Sequence, residues 1–277
     1  VVVPLMALLY ILSALVIIGM NLEAIPGVVK LIVSDAFTPM AGLGAVIGWG
    51  VKRGIYSNEA GQGTGPHAAS AAEVDHPAQQ GLVQAFSVYV DTLFVCSATA
   101  FMILITGAYH VTGVDGGVSG GALAATVDPN SPAFTQMAVS NVFSGFGEPF
   151  VAIALFFFAF TTLLSYYYIA ETNVAYVKRT LHIPGLMLML KVALLASAFY
   201  GSIRAAGTAW ALGDIGVGLM AWLNILGILL ISLASRPAMK ALRDYEAQKK
   251  AGVSTYTFDP KALGIKNAKF WEDRLKK

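Results

Sequence analysis

The chain is 277 residues long, with 56% hydrophobic and only 12% charged residues, a net charge of +2 and a mean hydropathy of +0.67. A soluble domain carries about twice that share of charge, so the composition excludes an ordinary water-soluble globule and points to lipid as the solvent. The small net charge argues against a nucleic-acid partner, and the single cysteine, Cys96, rules out an internal disulfide and reads as a small buried hydrophobe.

Crossing roughly 30 Å of hydrocarbon takes about 20 apolar residues, and about six such stretches follow in order. The first, Pro4 to Leu22, carries no charge, and a shorter segment, Ile25 to Thr38, suits the interface. The second crossing is interrupted: a glycine-rich half from Ala41 to Tyr56, then a small-residue half from Gly63 to Ala72. Leu82 to Tyr109 is the third. A polar connection follows, with a short helix expected near Pro132 to Phe143. The last three crossings are Phe150 to Val177, Leu186 to Ala205 and Trp210 to Leu233, before a charged tail. The start, Val-Val-Val-Pro, has neither an initiator Met nor the basic flank of a signal peptide, and reads as the interior of a longer protein.

Lys and Arg collect on the cytoplasmic side of membranes. The tail holds Arg236, Lys240, Arg243, Lys249 and Lys250, so it is placed inside. Counting back puts Lys178 and Arg179 inside and the Val111 to Pro149 connection outside, where Asp115, Asp128 and Glu148 lie but no Lys or Arg. Lys191 snorkels from the inner end of the fifth span. The localisation expected is the plasma membrane, multi-pass, with a cytoplasmic C-terminus.

Between the halves of the second crossing, Gly54, Gly61, Gly63, Gly65 and Pro66 work against regular helix. Broken helices persist in bilayers only where the freed backbone is buried in protein or lines a polar cavity. The outer half is expected to end around Gly54 to Tyr56, aiming carbonyls at an ammonium group, while the inner half presents N–H groups near Gly61 to Thr64. Tyr56 can wall a pocket or simply pack, and Ser57 and Asn58 offer oxygens. Glu59 has two readings: balancing a cation, or pairing with Arg53 or Lys52 and capping the inner half. Thr161 and Thr162 are adjacent hydroxyls about 100° apart on a helix, able to flank one edge, or each able to bond back to a carbonyl one turn earlier. Asp91 and Asp214 are candidates for structural bonds to helix ends.

The residues Gly50-Val-Lys-Arg-Gly-Ile-Tyr-Ser-Asn-Glu-Ala-Gly61, Asp75-His-Pro77, Gln80-Gly-Leu-Val83, Asp91-Thr92, Phe158-Ala-Phe-Thr-Thr162 and Phe270-Trp271 closely resemble the bacterial and archaeal alanine or glycine:cation symporters. The resemblance runs from end to end. It implies an all-α, leucine-transporter-like polytopic fold of two inverted five-helix repeats. Residues 1–38 would be the helix before the second repeat plus a connecting segment, 39–235 the second repeat with its discontinuous helix at 41–75, and 236–277 a cytoplasmic tail. The first repeat of the same protein would be a missing partner. The resemblance also implies substrate contacts at Gly54, Ile55, Tyr56, Ser57, Asn58, Glu59, Thr162 and Tyr166, and a sodium ion on Thr161 and Thr162. At Tyr166 family members often carry tryptophan.

His67, His76, His110 and His182 lack metal-ligand spacing, and Gly61-Gln-Gly-Thr-Gly65 lacks the lysine of a phosphate loop. Asp75-His-Pro77 reads as the turn closing the broken helix. The expectation is a transporter, not an enzyme: sodium-coupled symport of alanine or glycine by alternating access through the lipid bilayer. Proton-coupled transport or exchange with Glu59 titrating, and a non-transporting membrane assembly subunit, remain alternatives at this point.

Overall fold

The computed structural model describes residues 2–37, 43–112, 118–181, 183–234 and 236–276. Twelve α-helices are described: α1 Val2–Met20, α2 Ile25–Ala36, α3 Leu43–Asn58, α4 Gly65–Ala69, α5 Pro77–Tyr89, α6 Ser97–Ile105, α7 Ala133–Val142, α8 Gly147–Thr180, α9 Leu186–Ile203, α10 Ala206–Ala234, α11 Pro237–Lys250 and α12 Lys269–Arg274. A wide π-helical turn, Val90–Cys96, joins α5 to α6, so both belong to one span, Pro77–Ile105. A two-residue antiparallel ladder, Val111–Thr112 with Val118–Ser119, is the sole sheet among the described residues. The expected start of the broken helix at Ala41, the edges at 38/39 and 235/236, Asp115 and His182 lie outside the described residues.

Among these helices, four are long and apolar enough to cross a bilayer, and a fifth results if α1 and α2, bent by 77°, count as one. The sequence-based expectation of about six differs at the interrupted crossing. There α4 is only five residues long, because Ser70 and the polar run through Asp75 end it within little more than one turn. The predicted short helix near 132–143 is α7, and the last three crossings match α8, α9 and α10 within a few residues. Phe156, Phe160, Leu195, Leu223 and Leu230 stay exposed on these helices, as a lipid-facing surface requires.

The chain divides into two compact units, Val1–Ser57 with Val90–Trp210, and Asn58–Tyr89 with Ala211–Lys277. In the first, α1, α6, α7 and α8 bury Ala14, Ile17, Ala98, Met102, Ala138, Val139 and Val151. Small residues on facing helices permit close approach of backbones. Tyr10 and Thr99 share a 2.8 Å hydrogen bond inside this layer.

In the second unit the tail is structured. His76, fully buried, sits in the turn before α5 with its ring near Tyr245 and Phe258. Its Nδ1 accepts from the Ala78 N–H at 3.1 Å. That fixes the proton on Nε2, which donates to Asp244 of α11 at 3.2 Å. Arg274 of α12 donates to the Val74 carbonyl at 2.6 Å and lies 3.6 Å from Asp75. What composition alone marks as a charged tail is therefore strapped to the turn that precedes α5.

Candidate functional site

The break comes later than expected. Glycine costs a helix only about 1 kcal/mol relative to alanine, and α3 continues through Gly54, Ile55, Tyr56 and Ser57 to Asn58. Glu59 then turns into the left-handed region at φ +57. The last carbonyls of α3, those of residues 55–58, carry the helix's partial negative end.

Within the first unit, that end meets the π-helical turn. Ser57 donates to Asp91 Oδ2 at 2.5 Å, and Cys96 Sγ lies 3.0 Å from the same hydroxyl oxygen and 3.9 Å from Asp91 Oδ2. Asp91 stands at the middle of the 29-residue span Pro77–Ile105, where an ionisable residue costs about 2.5–3.5 kcal/mol and is kept for function. Asp91 thus bonds at a helix end, as the sequence suggests, and does so through the side chain of Ser57. Cys96 was read as an inert hydrophobe; residues five apart do not superpose on an α-helix, and only i→i+5 winding brings Cys96 over Asp91.

Tyr56 packs edge-on against Trp210, with ring centroids 5.6 Å apart. The Arg53 guanidinium lies 4.9 Å from the Trp210 centroid and 5.4 Å from that of Trp49, while Lys52 stands 4.5 Å over Trp49. These basic residues flank the aromatic side of α3.

On α8, which packs on α1, α7 and α9, Thr161 donates back to the Phe157 and Phe158 carbonyls at 2.9 and 3.1 Å. Its oxygen lone pairs remain available to a cation. Thr162 is exposed, and Tyr166, one turn on, is half-buried.

The break itself belongs to the second unit and is a closed turn rather than an open loop. The Gln62 and Gly63 N–H groups both donate to the Glu59 carbonyl, at 3.1 and 3.2 Å. The expected free donors near Gly61 to Thr64 are, at these two positions, used within the turn. Asn58 Oδ1 accepts from the Ala60 N–H at 3.1 Å. Glu59 accepts from Thr64, the N-cap residue of α4, at 2.5 Å, so the capping reading of Glu59 has a concrete partner. Asn224 of α10 donates to the Ala60 and Gly61 carbonyls at 3.2 and 3.0 Å. Sequence reading passed over Asn224, although a lone amide in the apolar run Ala-Trp-Leu-Asn-Ile-Leu is the signal that marks such residues.

A family model, the sodium:alanine symporter family, matches residues 1–259. The chain belongs to that family. It is thereby a multi-pass membrane protein of a transporter family and not an enzyme. A Bacillus subtilis protein provisionally named a sodium/proton-dependent alanine carrier, YrbD, is 58% identical over 98% of the chain and 56% of its own length. The sodium/proton-dependent alanine carrier protein of Bacillus sp. PS3 is 51% identical over the whole chain and 62% of its own length. The sodium/alanine symporter AgcS of Methanococcus maripaludis is 35% identical over 90% of the chain and 52% of its own length. The chain spans between about half and three-fifths of the length of these relatives.

Proposed function

We propose that the protein carries a small neutral amino acid, alanine or glycine, inward across the plasma membrane together with sodium, by alternating access around the break that follows α3. The observation that carries this reading is the Ser57–Asp91 hydrogen bond of 2.5 Å at mid-span. A carboxylate retained at that depth, beside the negative end of a helix that stops there, suits a cation or an ammonium group. The names of the relatives bring alanine and sodium to this chain.

In this reading the carbonyls of residues 55–58 receive the substrate's ammonium group, Tyr56 walls the pocket, and Gly54 keeps that helical face free of a side chain. Asn58 and Glu59 hold the turn, Thr161 and Thr162 offer sodium hard oxygen ligands, and Tyr166 limits substrate size. Residues 39–235 are the second of two inverted repeats, the first repeat supplies the opposite wall of the pathway, and the tail is cytoplasmic. A second reading, protons in place of sodium, is favoured by the short Glu59–Thr64 contact, which holds a carboxylate at the break.

Uptake of labelled alanine and glycine by the full-length protein in proteoliposomes tests the proposal. Sodium-driven uptake is expected, with Thr162→Val raising the sodium concentration needed for half-maximal rate. Equal uptake in choline removes the sodium claim, and uptake that follows pH without sodium favours the proton reading. No amino-acid binding, together with a silent Thr162→Val, points to an assembly subunit.

A further inference from the structure

We propose that Asn224 is a positioning residue that fastens the break of the discontinuous helix to α10, making the two move as one body during transport. The inference deepens the transport reading and rests on it for that motion, but the contact itself is independent of it.

The geometry is specific. The Nδ2 amide reaches two successive carbonyls, Ala60 at 3.2 Å and Gly61 at 3.0 Å, across more than 160 residues of sequence. Its Oδ1 lies only 2.5 Å from where a Cβ would stand on Gly63, whose φ is +78. The backbone therefore approaches Asn224 as closely as a glycine allows.

The other polar groups of the turn have partners within it: the Gln62 and Gly63 amides on the Glu59 carbonyl, the Ala60 amide on Asn58, and Thr64 on Glu59. Ala60 and Gly61 look outward, to α10. Gln62 and Thr64 are buried, so loosening the turn exposes groups to a medium that cannot solvate them. An aspartate at 224 has the same shape but no donor and adds a negative charge against two carbonyls; an alanine removes the amide altogether.

The test uses the full-length protein in lipid nanodiscs, comparing wild type with Asn224→Ala, Asn224→Asp and Asn224→Ser, the last keeping one donor. Hydrogen exchange of the peptide covering residues 58–66 is expected to speed up roughly tenfold or more in the Ala and Asp variants and less in Ser, with α8 unchanged, since two hydrogen bonds are lost. In proteoliposomes the alanine KM is expected to rise about tenfold in the same order, whereas a general loss of folded protein lowers the maximal rate alone. Unchanged exchange at 58–66 overturns the inference, as does a fall in maximal rate with KM unmoved. If wild type itself takes up no alanine, the transport reading fails, and the exchange measurement still decides whether Asn224 holds the break.

Discussion

Replacing Gly63 and Gly54 by alanine should move stability in opposite directions. Gly54 lies inside α3, and a Cβ there meets nothing within 4 Å. Alanine in such a position stabilises a helix by about 0.5–1 kcal/mol, because glycine loses more backbone freedom on folding. Gly63 sits at φ +78 in the turn, and its added Cβ would stand 2.5 Å from Asn224 Oδ1 and 2.7 Å from Cγ. The left-handed backbone costs a residue with a Cβ about 1–2 kcal/mol. Displacing the Asn224 amide forfeits two hydrogen bonds worth about 0.5–1.5 kcal/mol each. The sum, roughly 2–5 kcal/mol, corresponds to a fall of on the order of 10 °C in the unfolding midpoint. Thermal unfolding of the purified protein in detergent reads the effect. Adding Asn224→Ala should leave Gly63→Ala with only its backbone cost, about 1–2 kcal/mol. A Gly63→Ala protein as stable as wild type, or equal shifts for both glycines, would refute the closed turn and its contact with α10.

Burial holds the His76 imidazole below its ordinary value of 6.5, outweighing the opposite pull of Asp244. A histidine that stays neutral when packed stabilises its surroundings above that value, and the contribution is lost as pH falls through the window just below it. Cleavage by protease in the segment between α11 and α12 should therefore accelerate on acidification from pH 7.5 to 5.5, and His76→Gln should flatten the dependence; a profile the same in both proteins would count against it. Arg274→Ala removes a 2.6 Å bond to the Val74 carbonyl and should increase the same cleavage severalfold at neutral pH. Asp91→Asn keeps an acceptor for Ser57 but removes the charge, so the sodium needed for half-maximal uptake should rise tenfold or more; unchanged sodium dependence would dismiss Asp91 as a cation partner.

The long apolar spans were legible because length and hydropathy alone mark α8, α9 and α10. The existence of the break was legible too, from the glycines and Pro66. Its position was not: a cost of about 1 kcal/mol at Gly54 is smaller than the hydrogen bonding that carries α3 on to Asn58. Ser57, Asp91 and Cys96 could not be grouped from the sequence, because helical periodicity is the ruler and the π-helical turn departs from it. The docking of the tail on His76 and Asp75 was hidden for a different reason: pairs such as His76 with Asp244 and Arg274 with Asp75 are contacts distant in sequence, between residues whose types also suit a solvated surface.

The wide turn at Val90–Cys96 also sets the phase of everything after it. Deleting any single residue there would restore ordinary pitch and swing each later side chain by about 100° around the axis. Thr99 would turn away from Tyr10, and Ala98 and Met102, now in the interior, would be presented to acyl chains. Shortening this stretch by one residue should therefore be far more damaging than exchanging any side chain within it, while the connection before α7 tolerates the same loss.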